Sequence, residues 1–394
     1  MSERILFVVL GNGYYRSPIK TSKQMVARSL TRAGDVLYVE PAPLTLDPVV
    51  KPAERSRYFE YRRGVQDLGT GEPKLLVPPP FRQAMDTRWE WLDLWNQRRL
   101  GRYVREAIRV FNYDRLVLIS FVYNAAIIAD ELRPDVFAYY CVDIHSELRI
   151  PYAKAETVER VEAQTVARAD LVFAISKPLA ERLGVKHPRV IHAPHGVESA
   201  LFARTAEAGP IHADLATIPT PRLGFVGVLA HWLDYELMTA IAKARPEWQL
   251  CLIGPLGPHV DVAPLREHNN IHLLGQRERA ELPAFLRGFD VCLVPFLVNE
   301  LTVNSSPLKA YEYVAAGRPV VSSRLPELAD HAPPIRIADG LDGWITEIDR
   351  ALRDWSNADA ARSVALGATL SWDGRVDRVA ARIREFLTTR SITE

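Results

Sequence analysis

At 394 residues the chain exceeds what one ordinary hydrophobic core serves, and it divides into two domains of under about 200 residues each. Its 48% hydrophobic and 25% charged residues are those of a globular protein, and its longest mostly apolar stretch, Leu116–Ala129, is broken by Ser120 and Asn124 and cannot span a bilayer. Lys and Arg total 49 against 48 Asp and Glu, so net charge alone nominates no nucleic acid or membrane, although residues 1–120 carry +7 and the remainder −6.

Short apolar runs follow one another along the chain. The first series is Ile5–Leu10, Val36–Val39, Leu75–Val77, Leu116–Phe121, Val136–Val142, Leu171–Ile175 and Val190–Ala193. The second is Leu223–Val228, Gln249–Ile253, Ile271–Leu274, Val291–Phe296, Pro319–Val321 and Ile335–Ala338. Continuous rather than alternating runs predict parallel strands covered on both faces. Helical patterns lie between them, such as Met25, Ser29 and Leu30 before Gly34, and Val158, Val161 and Val166 before Asp170. Two successive series predict an α/β protein of two doubly wound, Rossmann-like domains, residues 1–200 and 222–372. Gly209-Pro210, Pro219 and Pro221 interrupt the weak periodicity between them, so 201–221 reads as a linker. Residues 41–86, rich in Pro and Arg, read as an elaborated loop region. In the last segment, 373–394, Val376, Val379, Ala380, Ile383, Phe386 and Leu387 share one helical face with no strand after it, which suits a helix crossing back onto the first domain. A ligand is expected in a cleft between the domains, beside the C-terminal strand ends. Cys141, Cys251 and Cys292 are widely spaced in apolar runs, against a disulfide framework or zinc site and in favour of a reduced, cytoplasmic compartment. The four residues before the first apolar run read as too short for a signal peptide.

Gly11-Asn12-Gly13 follows the first strand, and Glu40 closes the second as a ribose-binding acid would. The third glycine of a dinucleotide fingerprint is replaced by Arg16, and Pro18 stands where the helix should be running. This argues against a nicotinamide enzyme and leaves Gly13 as part of a flexible turn lining the cleft. The segment Asn304–Val321 is more informative. Ser305 or Ser306 suits an N-cap, Pro307 the first helical position and Gly317 the end. A helix start binds phosphate through unpaired N–H groups and its dipole, and Lys309 adds a full charge there. Glu312 lies three residues on, about 4.5 Å further along the axis, where its carboxylate would meet a ribose. A capped helix with a surface Lys–Glu pair fits the same spacing equally well.

These residues resemble the nucleotide-binding helix of GT-B glycosyltransferases, whose signature ends Glu-Ala-Met-Ala-x-Gly-x-Pro-Val-Val; here it stands as Glu312-Tyr-Val-Ala-Ala-Gly-Arg-Pro-Val-Val321. His195-Gly196-Val197-Glu198 is similar to the family's loop at the end of the first domain, Phe225–Leu229 to its glycine turn, and Ser371-Trp372-Asp373 to the lead-in of its crossover helix. The Ser-Ser-Pro-Leu-Lys form is closer to the xanthan-type glucuronosyltransferases and the teichuronic-acid group. The resemblance implies a GT-B fold and transfer of a sugar from a nucleotide-diphosphate donor, a UDP-sugar, to a saccharide or lipid-linked acceptor. On the donor side it implies Gly227, Gln276, Ser305, Ser306, Leu308, Lys309 and Glu312, with Lys309 on the diphosphate. Gly13, His195, Gly196 and Asn304 fall on cleft loops. Asn304 replaces the Glu that commoner members place eight residues before the ribose Glu, and Ala230-His231-Trp232 offers no cation on the glycine turn.

Asp143, directly after the run Val136–Val142, matches the general base of the xanthan-type enzymes; the alternative is that it caps the following turn. No Asp-x-Asp pair sits on a suitable loop, Asp349 and Asp354 falling in a helical stretch, so neither metal nor other cofactor is expected. The rival readings are a GT-B sugar-nucleotide epimerase and a non-catalytic, nucleotide-sugar-binding scaffold subunit of polysaccharide assembly. Arg98, Arg102, Arg105 and Arg109 form one helical stripe, opposite Leu100, Tyr103, Val104, Ala107, Ile108 and Phe111, with Trp89, Trp91 and Trp95 upstream. Such a surface offers peripheral contact with the inner face of the membrane; a plain solvated helix face is the stronger reading from sequence.

Overall fold

The structure is a computed structural model that describes residues 3–17, 20–44, 58–81, 90–145, 154–258 and 260–393. Pro18, Trp89 and parts of the Pro- and Arg-rich region lie outside the described residues. The chain forms two compact units, residues 1–194 with 375–394, and residues 195–374.

The first unit is built on eight strands: β1 (Ile5–Leu10), β2 (Asp35–Val39), β3 (Val65–Gln66), β4 (Lys74–Leu76), β5 (Arg115–Ser120), β6 (Val136–Cys141), β7 (Leu171–Ala174) and β8 (Val190–His192). They lie in the order β3-β4-β2-β1-β5-β6-β7-β8, every pairing parallel except β3 with β4. The second unit has six, β9 (Arg222–Val226), β10 (Gln249–Ile253), β11 (Ile271–Gly275), β12 (Val291–Val294), β13 (Val320–Ser323) and β14 (Ile335–Ala338), in the all-parallel order β11-β10-β9-β12-β13-β14. All six residues of β1 and all six of β6 are buried, as continuous apolar runs require in a sheet covered on both faces. Each order changes direction at its first strand, between β1 and β5 and between β9 and β12, which is where open α/β sheets leave room for a ligand.

Two expectations about the boundaries change. Residues 201–221 are not a linker: Phe202, Leu215 and Ile218 are buried in the core of the second unit with Phe285, Leu286 and Phe289. Arg287 pins the same segment by donating to the carbonyls of Arg204, Thr205 and Pro210. The proline and glycine breakers shape this segment, but its apolar side chains anchor it. The second unit accordingly starts at His195. At the other end, residues 375–394 belong to the first unit, where Val376, Val379, Ala380, Ile383 and Leu387 are buried and Arg384 donates to the Ala33 carbonyl at 2.8 Å. The two places where the chain passes between units are tied inside the second one. Val197 donates to Leu370 O at 2.9 Å and Trp372 N to Val197 O at 3.2 Å. Gly196 is needed there, since a Cβ would lie 2.5 Å from Trp372 Cα.

The helix Leu308–Ala315 packs on the helix Asn357–Thr369, and Ser363 Oγ donates to Val314 O across the contact at 2.8 Å. Gly367 permits the approach: a Cβ there would be 2.4 Å from Ala315 Cα and 2.9 Å from its nitrogen. Alanine has the better helix propensity by about 1 kcal/mol, but a backbone clash costs about 1–3 kcal/mol and wins. Gly367→Ala should therefore lower the denaturation midpoint, read by circular dichroism in urea; an unchanged or higher midpoint would contradict this packing.

Candidate functional site

In the second unit the helix Leu308–Ala315 is seated on the end of β9, where the Val226 N–H donates to the Tyr313 hydroxyl at 2.7 Å. Neighbouring strands end in glycines. Gly227 N donates to Ile253 O at 2.8 Å, and Gly254 N to Gly275 O at 2.9 Å. Gly254 has φ +146°, and a Cβ on it would meet the Gly227 carbonyl oxygen at 1.8 Å, so no other residue fits. A Cβ on Gly227 would come within 2.9 Å of the Phe225 ring and 3.6 Å of Lys309 Cε, which places this turn directly beside the lysine.

The centre of the arrangement is Glu312, only 1% exposed. Lys309 Nζ donates to one carboxylate oxygen at 2.8 Å, and an Arg279 terminal nitrogen to the other at 3.0 Å. Arg279 Nε in turn pairs with Glu198. Burial alone would raise Glu312 above the usual carboxylate range; the charges of Lys309 and Arg279 outweigh it and hold the group below. His195 completes the frame. Its Nδ1 lies 2.8 Å from the Ser306 carbonyl, which can only accept, so Nδ1 carries the proton. His195 and Glu198, three residues apart, thus reach the helix start and the Glu312 cluster respectively.

Several expectations sharpen or shift. The helix begins at Leu308 with Pro307 as its N-cap, not with a serine there. Ser305 Oγ donates to Thr302 O at 2.7 Å, and Ser306 Oγ lies 3.2 Å from the Tyr311 hydroxyl and 3.4 Å from the His195 N–H. The serines therefore hold the loop, and proline in the capping place leaves the helix start without a side-chain cap. Asn304 bonds the Glu300 carbonyl, Gln276 is exposed on the loop after β11, and Leu308 is half-buried. The glycine turn itself carries no cation, and the second cation beside Glu312 is Arg279, from the loop after β11. The signal was Arg277-x-Arg279 placed just after a strand run, a position where ligand-binding residues gather.

In the first unit Asp143 follows β6 and is half-buried. Among the described residues its carboxylate makes no hydrogen bond; the turn it would cap runs on into residues 146–153, outside the described residues. Burial raises its pKa above the ordinary 3.8, against the opposing pull of Lys23 and His145. Glu40 accepts the Tyr15 N–H at 2.7 Å and Gly13 O accepts the Tyr38 hydroxyl at 2.7 Å, which gives both a structural use in place of a dinucleotide. Cys141, His145 and Glu162 bring possible metal donors within 4.8 Å of one another. They are already joined by hydrogen bonds, His145 Nδ1 to Glu162 at 2.9 Å among them, and burial pushes the Cys141 thiol well up, away from the thiolate a metal needs.

Residues 220–354, within the second unit, match the family described as glycosyl transferases group 1. Over 299 residues the chain is 26% identical to TuaH of Bacillus subtilis (strain 168), whose name assigns it to teichuronic acid biosynthesis as a glycosyltransferase; the match covers 72% of this chain and 74% of that protein. Among solved structures, sucrose-phosphate synthase from Thermosynechococcus elongatus superposes with a TM-score of 0.69 at 16% identity, over 98% of this chain and 100% of that one. HepE of Anabaena, in complex with UDP, does so with 0.63 at 16% identity, over 97% and 100%. At such identities these structures share the fold.

Because the folded value of Glu312 lies below its ordinary 4.5, the ion cluster adds stability above that pH and loses it as pH falls through the depressed value. Glu312→Gln should cost about 2 kcal/mol at neutral pH through weaker charged hydrogen bonds. It should also make thermal midpoints less steep in acid than wild type between pH 7 and 3. Parallel curves for the two proteins would mean that Glu312 is not held ionised.

Proposed function

We propose that this chain, a GT-B glycosyltransferase by its two α/β units and its group 1 domain, moves a sugar from a UDP-sugar to a saccharide or lipid-linked acceptor. The observation that carries the reading is the buried Glu312 with one cation on each oxygen. An ammonium has three donors and a guanidinium five, so Lys309 and Arg279 keep donors for phosphate oxygens after serving Glu312. Glu312 keeps lone pairs for ribose hydroxyls. As the bond between sugar and diphosphate breaks, negative charge grows on the departing phosphate, and fixed cations beside a helix start stabilise it without reorganising. Those two cations do the work a divalent ion would otherwise do, which supports metal-independent transfer.

Asp143 serves the acceptor. A neutral sugar hydroxyl is a poor nucleophile, and a carboxylate raised toward neutrality by burial takes its proton more readily than an ordinary one. Direct displacement with a base inverts the anomeric centre. The enzyme acts in the cytoplasm, at the inner face of the membrane where its acceptor is lipid-linked.

Lys309→Ala should weaken UDP binding about tenfold by removing a charge-assisted contact; calorimetry giving wild-type affinity would remove the lysine from the diphosphate site. Asp143→Asn should lower transfer by about 10²–10⁴-fold with UDP affinity and melting temperature kept. Near-normal turnover would place the base elsewhere, and donor breakdown without any acceptor would favour an epimerase or hydrolase instead.

A further inference from the structure

The helix Glu90–Ala107 and the short turn Ile108–Val110 that continues it carry an unusual outer face. Trp91, Trp95, Arg98, Arg102, Arg105 and Arg109 recur every three or four residues, one stripe along the helix, and all six are exposed. Trp91 is 64% exposed and Trp95 38%, with Leu94 beside them at 36%. The opposite face is fixed to the first unit: Leu92, Leu100, Val104 and Ile108 are buried, and a Cβ on Gly101 would lie 2.6 Å from Glu131 Cβ on the next helix. The stripe therefore points outward by construction. The packed side of the helix meets a second element. The Tyr103 hydroxyl donates to Tyr61 O at 2.9 Å, which brings the turn Glu60–Arg63 alongside; Phe59, half exposed, carries the Arg62 guanidinium 5.2 Å from its ring centre.

A merely solvated face needs charges, and it has no use for tryptophan and leucine standing in the same row. Arg105 pairs with Glu131 and Arg109 with Glu106, whereas among the described residues Arg98 and Arg102, next to the tryptophans, have no carboxylate partner. Aromatic rings with unneutralised arginines one and two turns further along the stripe offer both contacts a bilayer surface takes, rings for the acyl boundary and guanidinium groups for the phosphates. The first 120 residues carry +7 overall, complementary to that surface.

We propose that this face of the first unit binds an anionic lipid bilayer, the rings of Trp91 and Trp95 entering the headgroup layer and Arg98 and Arg102 meeting lipid phosphates. It deepens the reading of a lipid-linked acceptor, and it is read by binding alone, so it fails separately from the transferase assignment. The full-length protein should co-sediment with phosphatidylglycerol-containing vesicles, weakly with pure phosphatidylcholine, and less as salt rises. Each arginine at an anionic surface is worth roughly fivefold in partitioning, so Arg98→Glu with Arg102→Glu should lower binding at least 25-fold by that estimate. Trp91→Ser with Trp95→Ser should lower it about tenfold by loss of apolar burial. Melting temperatures of both variants should stay at wild type, since the changed residues are exposed. Equal binding to both vesicle types, no binding at all, or wild-type binding by either variant would overturn the proposal. So would equally tight binding to duplex DNA that ignores the tryptophan changes, which would mark a general polyanion surface.

Discussion

Glu312 sits almost out of reach of solvent, and an isolated carboxylate there would give up its charge rather than bear the cost of desolvation. It stays ionised because Lys309 comes from its own helix and Arg279 from the loop after β11, one cation to each oxygen. That requirement orders much of the second unit around it. Arg279 must be aimed, and Glu198 aims it; Glu198 must be placed, and the Val197 ladder to Leu370 and Trp372 places it. A cluster with two acids and two bases is close to neutral by itself, yet the bases retain unused donors. Those unused donors are what the proposed nucleoside diphosphate site rests on.

Positioning relies on places where side chains are missing. Gly254 touches the Gly227 carbonyl, Gly196 touches Trp372, and Gly367 touches Ala315. Each allows two backbones to approach more closely than a Cβ would tolerate, and each lies on an element that holds the helix Leu308–Ala315 or the loops around it. The sheet order adds the larger constraint, because it reverses between β9 and β12, and open α/β sheets form their crevice at such a switch point beside the strand ends. Stability and function are coupled at this helix: the groups that seat it are the neighbours of those that would hold the ligand.

Most of the architecture is readable from the apolar runs, since a strand buried on both faces has to be continuously apolar. Among the described strands only β3 escapes, at two half-buried residues too short to leave a pattern. The segment 201–221 misleads because breakers dominate its local signal while its anchors, Phe202, Leu215 and Ile218, declare themselves only through tertiary contact. The Lys309–Glu312 pair is legible because both residues share one helix turn. Arg279 is not, because its link to Glu312 spans 33 residues and depends on how β11 ends. The capping serines fail for a subtler reason: two adjacent Ser before Pro fit an N-cap pattern, but their hydroxyls are drawn to Thr302 and Tyr311 instead.

The central claim is that a nucleoside diphosphate is held through its phosphates by Lys309 and Arg279 without a metal ion. Calorimetric titration of the wild-type protein with uridine, UMP and UDP, in buffer containing EDTA, addresses it directly. Affinity should rise along the series, with UDP binding at least about tenfold more tightly than UMP, as an added charge-assisted contact provides. Uridine binding as tightly as UDP, or UDP binding only after a divalent ion is supplied, would contradict the account.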